Sequence, residues 1–220
     1  MLQALIFDLD GVVVDSHPAH LCAWKTLFFS LGRHVPDHDL EFVLEGRKRE
    51  DILRRFLGEL SEDQLEEYGA RKEALFKDSA RDLRPVSGVL EFLQQAEIEG
   101  LPMALASSAS RSRVEYTLEQ LGLAERFRVV VTGSDVVKGK PDPALFHAAA
   151  DGMGVEPGGI LVCEDAVNGV EAAKMAGMRC LAIAANGRTP LLQKAGADKI
   201  VPDFTATSLA ELRGLFNGQA

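Results

Sequence analysis

The 220-residue sequence is poor in cysteine, in basic residues and in long apolar segments. Its three cysteines, Cys22, Cys163 and Cys180, have neither CxxC spacing nor the density of a disulfide framework, so we expect reduced thiols with packing roles. The net charge of -9 makes nucleic acid and anionic membranes poor partners, because both attract basic surfaces.

The absence of long apolar runs also bears on location. None reaches the roughly 20 residues that a membrane-spanning helix needs. The N-terminus lacks the basic start and the cleavage pattern of a signal peptide. We therefore expect a cytoplasmic protein with no membrane partner. A hydrophobic content of 46% suffices for a core, in one large domain or two modest ones.

Short apolar runs that alternate with helical patterns are the main structural signal. The runs cover residues 2–9, 101–108, 127–135, 159–165, 179–187 and 198–203. Near-continuous apolar runs are typical of strands buried on both faces, and alternation with helices indicates right-handed βαβ crossovers. The sequence predicts an α/β fold with a doubly wound, mostly parallel sheet.

Between residues 16 and 84 this alternation stops, and every pattern is helical. The last of these patterns opens on Ser61, a typical N-cap residue. We predict that residues 1–15 and 85–220 form the α/β core. Residues 16–84 then form an α-helical domain, inserted after the first strand and lying over the edge of the sheet.

Further helical patterns lie between the later runs. They cover residues 87–100, 112–122 and 170–177, and each ends on a glycine. Ser208 and Glu211 have the spacing of a capping box, which predicts a final helix.

Two acids, Asp8 and Asp10, end the first apolar run. Residues two apart in a strand face the same side, and Gly11 permits the turn that follows. Open parallel sheets bind their ligands at this edge. Like charges about 4 Å apart repel by roughly 4 kcal/mol at an effective dielectric of 20, so a cation or a shared proton is needed. The alternative is that the two acids only cap a helix or form a turn.

Another pair of acids, Glu164 and Asp165, ends a later buried run. In a parallel sheet this pair reaches the same edge as Asp8. A set of carboxylates without softer donors favours Mg²⁺ over Zn²⁺. Taken alone, the pair is equally typical of loop acids or of a helix start.

Two other strand ends carry groups suited to a phosphoryl group. Ser107 offers a hydroxyl to a phosphoryl oxygen, although serine is also a common turn residue. Lys140, held between Gly139 and Pro141, offers an ammonium group to developing negative charge, although most lysines simply lie on the surface.

These residues resemble the four motifs of the haloacid dehalogenase superfamily of phosphatases and phosphomutases. "FDLDGVVVDS", "LASS", "KGKPDP" and "CEDAVNGVEAAKMAG" stand in the family's order across the whole chain. The helical insert is similar to the family's cap domain. Within the superfamily the chain is most similar to β-phosphoglucomutases and related sugar-phosphate phosphatases.

The resemblance implies roles for the residues at the strand ends. Asp8 is the expected nucleophile, which forms an aspartyl-phosphate, and Asp10 the expected general acid and base. The expected Mg²⁺ ligands are the side chains of Asp8, Glu164 and Asp165 and the backbone carbonyl of Asp10. Ser107 and Lys140 are expected to hold the phosphoryl oxygens.

The resemblance also implies a set of substrate contacts. In the cap these are His20, Trp24, Gly46, Arg49 and Lys72, and after the second motif they are Ser108 and Arg111. The alternatives are an ordinary packed pair for His20 and Trp24, and solvated charges for the cationic residues.

One departure from the family separates two possible activities. β-Phosphoglucomutases have a Ser-Lys-Asn run that grips a second phosphate, whereas this chain has Ala109, Ser110 and Arg111. We therefore expect Mg²⁺-dependent hydrolysis of a small sugar phosphate, with β-phosphoglucomutase activity as the alternative. A phospho-aspartate signalling module would lack the helical insert. We expect a monomer or weak dimer.

Overall fold

A computed structural model describes residues 1–184 and 188–217. Its centre is one parallel sheet of six strands in the order β3-β2-β1-β4-β5-β6. The strands are β1 (Ala4–Phe7), β2 (Met103–Ser107), β3 (Val129–Thr132), β4 (Ile160–Glu164), β5 (Arg179–Ile183) and β6 (Lys199–Val201). The predicted α/β class, with a doubly wound parallel sheet, is confirmed.

Alternate residues of β1 enter different hydrophobic clusters. Leu5 and Phe7 belong to the cluster on one face of the sheet, and Ala4 and Ile6 belong to the cluster on the other. Parallel pairing sets Leu5 opposite both Met103 of β2 and Leu161 of β4. Burial on both faces therefore explains why the sequence runs are continuously apolar rather than alternating.

Four α-helices lie between β1 and residue 85: α1 (His17–Ser30), α2 (Asp37–Leu40), α3 (Arg49–Leu57) and α4 (Glu62–Ser79). They bury a hydrophobic cluster of their own, in which the rings of Trp24 and Phe28 stack 5.3 Å apart. Ser61 caps α4 in a reciprocal capping box with Gln64. The chain leaves and re-enters the core at neighbouring points, because the Asp15 amide donates to the Arg84 carbonyl.

The remaining helices cover the two faces of the sheet: α5 (Val89–Ile98), α6 (Arg111–Leu121), α7 (Ala144–Met153), α8 (Val167–Met175), α9 (Thr189–Lys194) and α10 (Leu209–Leu212). Helices α5, α6 and α10 pack on one face, and α7, α8 and α9 pack on the other. Within the described chain, no helix has the length and apolarity needed to cross a bilayer.

Several elements differ from the sequence prediction. The sequence patterns do not identify α7, although its buried residues recur at helical spacing, or the short α9. The capping residue Ser208 accepts a hydrogen bond from the Glu211 amide, but the helix it opens is only four residues long. The predicted run 179–187 yields a strand that ends at Ile183, and residues 185–187 lie outside the described chain.

Candidate active site

The carboxyl ends of β1, β2 and β4 bring several polar side chains together around Asp8. Asp8 directly follows β1, and its amide donates to the Cys163 carbonyl of β4 at 3.0 Å. Lys140, from the loop between β3 and α7, donates to Asp8 Oδ1 and to Glu164 Oε1, each at 2.5 Å. Its third contact is the Ala106 carbonyl at 3.3 Å. The ammonium group therefore links three neighbouring strands.

Asp8, Glu164 and Asp165 form an acidic cluster whose ligand atoms lie within 4.8 Å of one another. Together with Lys140 we call these residues the core rim. Glu164 Oε2 accepts from the amides of Asp165 and Ala166, at 2.8 and 2.9 Å, which fixes its orientation. Three buried carboxylates beside one ammonium group leave negative charge uncompensated. An all-oxygen donor set with that charge fits a hard divalent cation.

The turn after β1 allows Asp165 to approach closely. Gly11 has φ +72°, and a Cβ there would lie 2.5 Å from Asp165 Oδ2. Asp165 also contacts His17 Nε2 at 3.1 Å. Burial would lower the pKa of His17, but the hydrogen bond and charge of Asp165 outweigh burial and raise it. Burial also raises the pKa of Asp8 well above its ordinary value, with added repulsion from nearby carboxylates, despite Lys140.

Asp10 has a separate set of partners. Arg113 of α6 donates to both of its oxygens, at 2.9 and 2.5 Å. Ser16 donates to Oδ1 at 2.5 Å, and His20 Nε2 lies 3.1 Å from the same atom. Burial would raise the pKa of Asp10, but the charge of Arg113, together with hydrogen bonds from His20 and Arg113, holds it well below its usual range. Asp10 is thus held as a carboxylate in this arrangement.

Ser107, the last residue of β2, and Ser108, which follows it, face the same cavity as Asp8. Ser107 is buried, and its Oγ accepts from the Ala109 amide at 3.2 Å. Ser108 Oγ donates to the Gly46 carbonyl of the helical insert at 2.7 Å. Ser108 therefore contacts the insert directly, and Ser107 stays at the sheet edge.

The helical insert supplies the opposite side of the cavity. Its lining residues there include His20, Trp24, Gly46, Arg49, Lys72 and Glu73. Lys72 Nζ lies 3.1 Å from His20 Nδ1. Burial, followed by the charge of Lys72, lowers the pKa of His20 to about 3. Burial also lowers the pKa of Lys72 to about 8.

Short contacts hold the insert against the core above this cavity. Asn168 Nδ2 donates to the Glu45 carbonyl at 2.8 Å, and Lys48 Nζ donates to the Val136 carbonyl at 2.9 Å. The cavity between the insert and the core has a volume of about 70 Å³. Pockets for small molecules typically measure roughly 300–1,000 Å³, so this arrangement is too tight to admit a sugar phosphate without movement of the insert.

One predicted contact residue lies elsewhere. Arg111, at the start of α6, donates to Asp135 at 2.7 Å and is nearly half exposed. It is not among the residues that line the cavity. Ser110 is the N-cap residue of α6. Within this helix Arg113 is buried, whereas Arg111 is exposed.

The sequence reasoning also missed residues that the structure brings to the site. These are Ser16, His17, Glu73 and Arg113. Arg113 had a detectable signal, because it stands beside Val114 on the apolar face of a helix that follows the second motif. No sequence signal pointed to Glu73, because it lies within a run of charged residues.

An acidic cluster at the carboxyl edge of a doubly wound parallel sheet, beside a helical segment inserted after the first strand, defines a class of Rossmann-like enzymes. Residues 5–183 match the family model described as haloacid dehalogenase-like hydrolase. The match covers more than half of the chain, and the chain therefore belongs to this family. The resemblance predicted from its four motifs is confirmed.

Relatives of known name agree with this assignment. The chain is 31% identical to β-phosphoglucomutase of Bacillus subtilis, over 91% of this chain and 89% of that protein. It is 32% identical to a phosphorylated carbohydrates phosphatase of Thermotoga maritima, over 80% and 82%. The crystal structure of β-phosphoglucomutase from Clostridium difficile superposes with a TM-score of 0.89 at 24% identity, covering 99% of this chain and 98% of that one. The chain is thus an enzyme that acts on phosphorylated substrates, as a phosphatase or a phosphoglucomutase.

Proposed function

We propose that this enzyme hydrolyses a small sugar phosphate, with Mg²⁺ as its cofactor and Asp8 as the nucleophile. The observation that carries the proposal is the placement of Asp8 in the core rim, within hydrogen-bonding distance of the buried Lys140. A carboxylate nucleophile needs cationic neighbours so that an anionic phosphoryl group can approach it. The named relatives that act on phosphorylated carbohydrates support the substrate class.

In this proposal each core residue has a distinct catalytic role. Asp8 attacks phosphorus in line and forms an aspartyl-phosphate, while Lys140 and Ser107 hold the phosphoryl oxygens. Asp10 gives a proton to the departing oxygen and later takes one from the attacking water. Because Arg113 holds Asp10 as a carboxylate here, the acid role requires that this ion pair loosen when substrate binds.

The acidic cluster would hold the metal ion. Asp8, Glu164 and Asp165, with the backbone carbonyl of Asp10, are the residues we assign to it. When bound, Mg²⁺ supplies positive charge that reduces repulsion between the carboxylate and the phosphoryl oxygens.

We also assign residues 16–84 to a cap domain and residues 1–15 and 85–220 to the core. The contacts of Ser108 with Gly46 and of Asn168 with Glu45 describe a closed cap. A closed cap excludes bulk water and brings His20, Trp24, Arg49 and Lys72 to the substrate side of the cavity.

β-Phosphoglucomutase activity is the second candidate, supported by the 31% identical relative of that name. A mutase must hold a bisphosphate in two orientations, and this needs a strong grip on the distal phosphate. Arg111, which stands near that position in sequence, pairs with Asp135 outside the cavity. Hydrolysis needs only one firmly held phosphate and is therefore the activity we favour.

Phosphate release from a panel of sugar phosphates tests the proposal, with and without Mg²⁺. We expect sustained, Mg²⁺-dependent release that is lost in Asp8→Asn by about 10⁴-fold or more, since an amide cannot act as the nucleophile. Retention of the wild-type melting temperature in that variant would show that its fold is intact. Faster conversion of β-glucose 1-phosphate to glucose 6-phosphate than phosphate release, dependent on a bisphosphate primer, would establish the mutase instead.

A further inference from the structure

Unsatisfied buried polar atoms concentrate at one wall of the cavity. In the described chain, four buried side-chain atoms have no hydrogen-bond partner: Arg49 Nε, Glu73 Oε2, Ser110 Oγ and Thr117 Oγ1. The first three belong to residues that line the cavity. Such atoms cost free energy unless something satisfies them, so their clustering at a binding cavity points to the ligand as the missing partner.

Arg49 and Glu73 are the informative pair, because one atom is a donor and the other an acceptor. Arg49 Nη1 and Glu73 Oε1 lie 3.9 Å apart, beyond a direct hydrogen bond. Lys72 Nζ lies 3.8 Å from the same carboxylate oxygen. We call Arg49, Lys72 and Glu73 the cap wall. No direct hydrogen bond joins Glu73 to either cation, so Arg49 Nε and Glu73 Oε2 both stay without a partner although they belong to one cavity wall.

The backbone of α4 is adapted to the position of Arg49. Gly69 lies inside this helix, where glycine costs about 1 kcal/mol relative to alanine. A Cβ at residue 69 would lie 2.6 Å from Arg49 Cζ and 2.7 Å from Nε. The guanidinium group therefore packs directly on the helix backbone, and the glycine makes that approach possible.

We propose that Glu73, with Arg49, is a specificity-determining residue that binds a hydroxyl group of the substrate's leaving group and disfavours a second phosphate there. A hydroxyl can accept from Arg49 Nε and donate to Glu73 Oε2, which satisfies both atoms. The oxygens of a phosphate dianion can only accept, so they leave Glu73 Oε2 unsatisfied and meet its negative charge. This inference rests on the proposed function and narrows it to monophosphates of polyhydroxylated compounds.

The test compares Glu73→Gln with wild type on three probes: glucose 6-phosphate, fructose 1,6-bisphosphate and phenyl phosphate. The substitution keeps the size of the side chain and removes its charge. We expect kcat/KM for glucose 6-phosphate to fall about tenfold and that for the bisphosphate to rise relative to it by a similar factor. Phenyl phosphate, whose leaving group offers no further hydroxyl, should change less than about twofold.

Two further variants control this experiment. Glu67→Gln changes an exposed acid on the same helix, and it should leave all three rates at their wild-type values. Gly69→Ala favours the helix but displaces Arg49, so it should lower the rate on glucose 6-phosphate without lowering the melting temperature.

The outcomes separate this inference from the proposed function. If wild type hydrolyses phenyl phosphate while Glu73→Gln and Glu67→Gln behave alike on both sugar phosphates, the inference on Glu73 is wrong and the phosphatase proposal stands. Turnover of phenyl phosphate without turnover of glucose 6-phosphate or the bisphosphate would equally reject a polyhydroxylated substrate. Failure of wild type to release phosphate from any probe would overturn both.

Discussion

The core rim and the cap wall are both charged and both contribute side chains to one cavity, but they differ in how completely the protein supplies their hydrogen-bond partners. In the core rim, Lys140 has three acceptors and both Glu164 oxygens are hydrogen-bonded. In the cap wall, Arg49 Nε and Glu73 Oε2 have no partner within the described chain.

Under the proposed function, this difference separates the groups that take part in the reaction from the groups that recognise the substrate. Preorganised charges in the core cost no rearrangement at the moment of reaction, so they serve the step that every substrate shares. Groups left unsatisfied in the cap gain partners only when the correct ligand arrives, so they discriminate between substrates.

The largest effect on stability and activity is expected when the cation of the core rim is removed. In Lys140→Met, the carboxylates of Asp8 and Glu164 lose the buried ammonium group that contacts both. Removing one partner of a buried ion pair typically costs about 3–5 kcal/mol, because the other charge stays buried. We expect a loss of that size in the free energy of unfolding, measured by urea denaturation in EDTA, together with loss of phosphatase activity.

Lys138→Met is the matched control, since Lys138 is exposed and lies 3.9 Å from its nearest acid, Asp142. It should change the free energy of unfolding by less than about 0.5 kcal/mol. Equal stability of Lys140→Met and Lys138→Met in EDTA would contradict the view that the core rim depends on its internal cation.

Arg113 tests a different kind of core contact. It belongs to the core but contacts Asp10, and we expect it to position that carboxylate rather than to bind phosphate. Its two nitrogens hold both oxygens of Asp10, and its guanidinium lies over the Phe76 ring of the insert at 5.2 Å. Lysine cannot reproduce this two-point contact. In Arg113→Lys we expect kcat to fall by about 10- to 100-fold through misplacement of Asp10, with little change in KM.

A leaving-group series distinguishes this positioning role from a structural one. If Arg113 acts through the acid Asp10, the loss should be largest for alkyl phosphates and smallest for aryl phosphates with good leaving groups. Arg126→Lys, which changes a surface pair with Glu97, serves as the control and should show wild-type rates throughout. An equal loss across the series would mean that Arg113 does not act through proton transfer.

The sequence predicted the strand ends well because the relevant information there is local. Asp8, Ser107 and Glu164 each follow or end an apolar run, and parallel topology then brings those ends together. The position of Glu73 depends instead on how α4 rotates as it packs, and this rotation is set by contacts distant in the chain. Motif patterns therefore located the core rim but missed Glu73 of the cap wall.

Arg111 is the opposite case, because the sequence predicted it as a substrate contact and the structure places it outside the cavity. Its sequence position, shortly after the second motif, predicted a substrate contact. The direction of the side chain, however, is fixed by Asp135, whose carboxylate also accepts from the amide and hydroxyl of Thr132. That surface network lowers the pKa of Asp135 despite the opposing effect of burial, through its hydrogen bonds with Arg111 and Thr132. Arg111 thus belongs to a loop-stabilising cluster outside the cavity.

The smallest predicted effect follows from this placement. Arg111→Ala should change KM for glucose 6-phosphate by less than about twofold, because an exposed ion pair contributes little and the side chain does not line the cavity. Arg49→Ala, measured in parallel, should raise KM by about tenfold, since it removes a charged donor from the cap wall. If Arg111→Ala raised KM as much as Arg49→Ala, the substrate would have to reach the start of α6, and recognition would not be confined to the cap wall.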